Sequence, residues 1–383
     1  VQPLSASFYQ RLITRLQQRL RAEGLQGILL LDMHNVIYLS GFFHSPSERP
    51  IGLFIPEAGD PTLFIPLLER DNTDQLFLDD IRSYEEFPGL THPVLWMLTE
   101  INRPHLAIDT LPAQLYTTIQ QAFPGICLSD MVSEQRYRKE PEELDFIRTA
   151  AYYADRCLDY IFDCAATIIR KGGSERDILQ AGVQEAMREL MHDLSDQLTF
   201  SHTTVVGTVH SGPRAALPHG KTWQRTPQRG ETLIAGIGAS VAGYHAESGV
   251  TFIIGEMTDD QYHCLKAAQD CNDAAIQALR PGVTGAAINA TALNALHQAG
   301  LGAFIRHRIG HGMGIQGHEA PWLAPGGETP CAIGMVFSNE PGIYRPNCDG
   351  YRTINTMIVT EDVAEVPSTF QARHKLTARV IRL

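Results

Sequence analysis

The sequence predicts two domains, a small α/β domain followed by a larger α+β domain. Three observations carry this expectation. The chain has 383 residues, too many for one ordinary hydrophobic core. Residues 1–132 alternate short apolar runs with helical segments, the pattern of buried strands joined by helices. From 133 to 383 the pattern changes to long amphipathic helices and hairpin-like strands.

Each element follows from its residues. Residues 5–23 put Leu12, Ile13, Leu16 and Leu20 on one helical face, and Gly24 stops the helix. The runs GILLLD (27–32), IGLFI (51–55), TLFIP (62–66) and HLAID (105–109) suit buried strands. No Gly-rich phosphate loop lies among them. The second domain opens on a helix with Pro141 at its start and acids in its first turn. Its apolar face is Leu144, Ile147, Ala151, Ala154 and Leu158. Helices are expected at 259–279 and 285–299. Strands are expected at 203–208, 233–253, 334–339 and 352–360. Within the second of these, LIAGIGASVAGYHAESGVTF (233–252) reads as a hairpin turning at Gly243–Tyr244.

Composition narrows the function. Hydrophobic residues make up 44% of the chain and charged residues 19%, as in a globular protein. No apolar run approaches the roughly 18 residues of a membrane span. The opening VQPLSASFYQRLITRL lacks a signal-peptide core and passes directly into an amphipathic helix. The net charge of −12 is spread along the chain, which argues against nucleic acid or an anionic membrane as partner. The seven cysteines form no Cys-x-x-Cys and read as reduced thiols of a cytoplasmic protein. A small-molecule substrate is expected.

Polar residues interrupt apolar strands in four places. These are ALPHGK with His219, GYHAES with Glu247, RHRIGHGMGIQGHEAP with His311 and His318, and FSNEPGIY with Glu340. A Glu that ends an apolar strand is costly to bury unless it is paired or used. Singly, each histidine has a bland reading as a turn or core residue.

In this order the motifs PHG, GY…E…T, GHGMGIQGHE and EPGIY resemble the pita-bread family of methionine aminopeptidase, aminopeptidase P, prolidase and creatinase. The resemblance covers 135–383, and the first domain looks like the smaller N-terminal domain of the prolidase, aminopeptidase P and creatinase branch. It implies an α/β domain followed by an α+β pita-bread domain. In that family's metallopeptidases two ions are held by two Asp, the His of GHG, the Glu of EPG and a Glu in an Arg-x-Glu-Asp strand. Here the matching positions are Gly236, Glu247, His311, Glu340 and Ile354. Gly236 and Ile354 offer no donor atom, and only two carboxylates remain where the resemblance implies four. A two-ion centre is therefore not expected.

Two carboxylates facing one pocket must share a proton, find an internal cation such as Arg352, or receive a cation from the substrate. The creatinase branch binds a guanidinium between the two Glu positions without metal or other cofactor. By that resemblance, His219 acts as general base and then acid. Glu247 and Glu340 clamp a cationic C–N centre, while His311 and His318 orient substrate or stabilise the intermediate. Arg49 of a partner subunit in a homodimer binds the substrate carboxylate, while Glu247, Glu340 and His318 bind the rest of the substrate. His202, His210 and His245 are candidates for the pocket edge, and Tyr244 is read as structural. The leading expectation is a metal-independent, creatinase-like hydrolase of a small, cationic, carboxylate-bearing nitrogen compound. The alternatives are a metal-dependent Xaa-Pro peptidase with one ion on Glu247, His311 and Glu340, and a non-catalytic binding protein.

Overall fold

The structure is a computed structural model describing every residue except Phe200. It divides into two compact units, Leu4–Arg136 and Tyr137–Leu383, the latter including Val1–Pro3. The sequence placed the division at 132/133.

In the first unit, α1 (Ala6–Ala22) buries Leu12, Ile13, Leu16 and Leu20 as their spacing requires, and Ser5 caps its N-terminus. Strand β1 (Gly27–Leu30) runs into α2 (Met33–Ser40), whose first N–H groups are accepted by Asp32. β2 (Gly52–Pro56), β3 (Thr62–Pro66) and β4 (Asp80–Tyr84) follow. The unit then continues through α3 (Pro93–Ile101), β5 (Leu106–Ile108), α4 (Ala113–Ala122), β6 (Ile126–Leu128) and α5 (Met131–Gln135). The strands form one mixed sheet in the order β4-β3-β2-β1-β5-β6. Its core gathers Leu29, Phe54, Phe64, Met97, Ile108 and Ile119. The four apolar runs all became strands. β4 did not announce itself, because Asp80, Arg82 and Ser83 leave it without a continuous apolar run.

The second unit begins with α6 (Pro141–Arg170), which has Pro141 in its first turn and a capping box between Glu140 and Glu143. α7 (Glu175–Asp193) and the short α8 (Asp196–Thr199) follow. The long ladder comes next: β7 (Thr204–Ser211), β8 (Thr232–Val241) and β9 (Tyr244–Ile254). β8 and β9 turn through Ala242 and Gly243, both at positive φ (50° and 80°), as a two-residue primed hairpin requires. The expected Gly243–Tyr244 corner is therefore displaced by one residue, and Tyr244 instead starts β9, stacked on Phe146 of α6 at 5.6 Å.

α9 (Asp259–Ala278) and α10 (Gly285–Gln298) pack together and bury Leu265, Ala268, Cys271, Ile288 and Leu296. Short strands complete the unit: β10 (Gly310–Gly312), β11 (Glu319–Leu323), β12 (Val336–Asn339), β13 (Gly342–Arg345), β14 (Asp349–Arg352) and β15 (Ile354–Ile358). The last elements are α11 (Phe370–Arg373) and β16 (Val380–Ile381). The main sheet runs β11-β10-β12-β15-β9-β8-β7, with β16 beside β9.

One buried carboxylate joins three of these elements. Asp155 of α6 accepts from the Ser248 hydroxyl of β9 at 2.6 Å. It also accepts from the backbone N–H groups of Thr369 and Phe370, at 2.5 and 3.0 Å, where α11 begins. An Asp155→Ala variant leaves those donors buried and unpaired, and a loss of about 2–4 kcal/mol is expected in urea unfolding. A loss below about 0.5 kcal/mol would show that the three elements do not depend on this carboxylate.

Candidate active site

Strand register assembles the site. His311 of β10 lies opposite Ser338 of β12, and Ser338 lies opposite Thr356 of β15. The Thr356 hydroxyl accepts from the Glu247 N–H at 2.9 Å and donates to the Glu247 carbonyl at 2.8 Å. His311, Ser338, Thr356 and Glu247 thus form one row across four strands, as side chains on a pleated sheet do at matched positions. A second row holds Ile354 opposite Gly249, Gly249 opposite Gly236, and Gly236 opposite Thr208. Glu340 follows directly on β12, its N–H bonded to the Ile309 carbonyl at 2.6 Å.

The His311 ring is fully buried, with Nδ1 3.0 Å from the Gly312 carbonyl. A carbonyl only accepts, so Nδ1 carries a hydrogen, and Nε2 is the ring atom turned into the site, where in the neutral form it presents its lone pair. Nε2 has no hydrogen-bond partner. It lies 3.5 Å from Oε1 of Glu340 and 4.0 Å from Oε2 of Glu247. Ser338 donates to Oε2 of Glu247 at 2.6 Å. Burial holds the Glu247 carboxyl above the usual carboxylate range; Glu340 pushes the same way, against His311 and Ser338. His318 stacks on His311 with ring centroids 3.8 Å apart, and burial lowers its basicity. Glu247, His311 and His318 each offer an atom within 4.8 Å of the others.

The His318 loop is anchored by its neighbour. Glu319 accepts from Lys139 at 2.8 Å, both side chains nearly fully buried, and Gly314 passes over the pair with no room for a Cβ. His219 is exposed on the turn after Leu217. It lies near enough to His318 and His307 to disfavour their protonation.

The other expected residues make contacts of their own. His210 is buried with both ring nitrogens unpartnered, and burial together with Arg352 and Arg214 pushes its pKa down to about 3. His245 sets Nδ1 3.2 Å from the Gly314 carbonyl. The His202 carbonyl accepts from Ser240 at 2.7 Å. Arg49 is engaged within the first unit, by Glu86 at 2.8 Å and by Glu48. Ser338, Thr356 and Lys139 are site residues that sequence reasoning missed. Alternation along FSNE puts Ser338 two residues before Glu340, on the same face, and could have revealed it. Lys139 meets Glu319 only through the fold.

Donor chemistry separates one ion from two. The second row is closed to a second ion, because Ile354 covers it. A Cβ on Gly249 would meet Cδ1 and Cγ1 of Ile354 at 2.5 and 2.7 Å. A single ion fits, because the buried lone pair of His311 Nε2 faces two carboxylates and a second imidazole.

The profile of metallopeptidase family M24 matches residues 145–361, and that of the creatinase/prolidase N-terminal domain matches 13–137. The chain is similar to a probable dipeptidase PepE of Mycobacterium tuberculosis, 31% identical over 89% of each chain. It is also similar to an Xaa-Pro dipeptidase of Lactobacillus delbrueckii subsp. lactis, 27% identical over 91% of this chain and 94% of the relative. The crystal structure of dipeptidase PepE from Mycobacterium ulcerans superposes with a TM-score of 0.85 at 27% identity, covering 100% of both chains.

These findings bear out the pita-bread resemblance and the two-part α/β plus α+β fold. They overturn the leading functional expectation, a metal-independent, creatinase-like hydrolase, because the relatives are dipeptidases and the catalytic profile is a metallopeptidase's. The expectation failed because it counted two lost donors and weighed the surviving ones too little. Glu247, His311 and Glu340 still converge.

The close fit of Ile354 over Gly249 is testable. Gly249→Ala is expected to cost about 1–3 kcal/mol by overpacking, read from urea midpoints. In an Ile354→Ala background that cost should fall by at least about 0.5 kcal/mol through coupling of the two sites. Strict additivity would show that the two residues do not share the space.

Proposed function

Since the chain belongs to metallopeptidase family M24, we propose that it is a metal-dependent dipeptidase of the Xaa-Pro class working with a single divalent ion. One observation carries the reading: the buried, unpartnered Nε2 of His311 facing Glu340 and Glu247. Glu247, His311 and Glu340 would hold the ion, with His318 in the same reach. When bound, such an ion polarises a peptide carbonyl and lowers the pKa of water.

The remaining work falls to the chain's own groups. Ser338 orients the Glu247 carboxylate through its hydrogen bond, and Thr356 fixes the backbone on which Glu247 stands. The Gly312 carbonyl holds the His311 tautomer. His318, whose protonation is disfavoured by partial desolvation and by His311, would donate a hydrogen bond to the substrate carbonyl as charge develops on its oxygen. His219, exposed and near His318, would take a proton from the attacking water and return it to the leaving amine when the C–N bond breaks. The Lys139–Glu319 pair keeps the His318 loop in position.

Purified protein loaded with Mn2+, Co2+ or Zn2+ is expected to hydrolyse Xaa-Pro dipeptides and to lose that activity on chelation. A panel of Xaa-Pro and other dipeptides, followed by release of free amino acid, measures both. Turnover unaffected by thorough chelation would sink the reading. Replacing His219 with Ala should lower kcat about 100-fold, the usual worth of a positioned acid or base, with KM little changed. A KM effect alone would remove His219 from the proton path.

A further inference from the structure

On the face of β15 that carries Asn355, opposite to the face of Thr356, lies a pocket of about 580 Å3. One wall is α9, and the other is the segment from Ser368 to Arg379, which includes α11. Ile276, Val366 and Leu376 give it an apolar lining.

One buried charge in this lining is left unbalanced by its hydrogen bonds. Arg379 is 2% exposed. Its Nε donates to the His374 carbonyl at 3.1 Å. Its Nη2 donates to Oε1 of Gln269 at 3.0 Å and to the Gln371 carbonyl at 3.2 Å. All three acceptors are neutral, and Nη1 has no hydrogen-bond partner. Burial pushes the guanidinium down to about 10, with Asp273 opposing the fall, so the group is charged at neutral pH. A buried charge with only neutral partners is costly unless something else balances it.

The carboxylate nearby is held off rather than paired. Asp273 stands on α9 at the exposed rim of the pocket. Gln269, one turn earlier, donates from Nε2 to Oδ1 of Asp273 at 2.9 Å, while its Oε1 accepts from Arg379. The Gln269 amide thus sits between the two charges and spaces them apart. Lys375, also exposed, adds a positive charge on the segment that carries Arg379.

We infer that this pocket is a binding site for a free α-amino acid with an apolar side chain. Its carboxylate is drawn to the wall of Arg379 and Lys375, its ammonium to Asp273, and its side chain to Ile276, Val366 and Leu376. A zwitterion carries two opposite charges a short distance apart, matching those the Gln269 amide separates, and it supplies the carboxylate that the buried guanidinium lacks. A simple anion would be opposed by Asp273 and a simple amine by Arg379. The inference stands apart from the dipeptidase reading, although free amino acids are also what that reaction releases.

Calorimetric titration of the chelator-treated full chain with L-leucine tests this without recourse to turnover. One L-leucine is expected to bind saturably. Isocaproate, which lacks the ammonium, and L-leucinamide, which lacks the carboxylate, should each bind at least about tenfold more weakly, the worth of a charged hydrogen bond. Asp273→Asn and Arg379→Gln should each weaken L-leucine binding by at least about tenfold. Lys375→Gln, at an exposed position, should weaken it by about two- to fivefold. Circular dichroism checks that each variant is folded. Asp273 and Lys375 lie at the surface, so their variants carry the test if Arg379→Gln does not fold. His311→Ala should bind L-leucine within about twofold of the parent, because distant sites act independently.

No saturable binding of L-leucine, or equal binding of isocaproate or L-leucinamide, would overturn the inference. Unchanged affinity in Asp273→Asn, or in both Lys375→Gln and a folded Arg379→Gln, would do the same. Loss of L-leucine binding in His311→Ala would put the ligand in the active site and overturn it equally, with the dipeptidase reading left standing.

Discussion

Two carboxylates held away from water beside a buried imidazole are the constraint around which the second unit is organised. Glu247 and Glu340 approach the same nitrogen of His311 to 4.0 and 3.5 Å, and like charges so placed raise each other's energy. The surroundings answer with oriented donors and a buried cation. Ser338 gives a hydroxyl to Glu247, Arg352 sets its charge beside Glu340, and the Gly312 carbonyl orients the His311 ring so that Nε2 faces both. These partners stand on different strands, so the balance of charge depends on the register of the whole sheet.

That dependence explains the rigidity of the support. The site residues are cross-strand neighbours on β10, β12, β15 and β9, and a slip of one residue would turn each side chain to the opposite face. On that opposite face, Asn339 and Asn355 are opposite each other and both hydrogen-bond to Asn272 of α9. This polar contact is buried and depends on that register. Asp155 ties α6, β9 and the start of α11 together from another side. The geometry needed to hold an ion is built from strand pairing and reinforced by buried polar groups that tolerate no displacement.

Loss of two donors did not leave a hole. Ile354 lies over Gly249 and against Gly236, and Arg352 takes the remaining space. Each of these residues looks unremarkable alone. Together they fill that side of the pocket with packed hydrocarbon and one buried guanidinium. Three donors around a lone pair still make a site for one ion, and the relatives are peptidases.

The sequence by itself determined the local elements and the donor identities. Apolar runs such as TLFIP became strands at the expected residues, and the Leu12–Leu16–Leu20 stripe became a buried helix face, because short-range periodicity fixes which face is apolar. The motifs holding His219, Glu247, His311, His318 and Glu340 were visible as polar breaks in apolar strands, since such breaks are costly to bury without a purpose. Only the tertiary structure decided which of them meet. It brought Ser338 and Thr356 to Glu247, joined Lys139 to Glu319 across 180 residues of chain, and placed the Arg352 guanidinium where Gly236 leaves room. Those contacts arise from strand register and packing between distant segments, and no local pattern of residues encodes a distance between them.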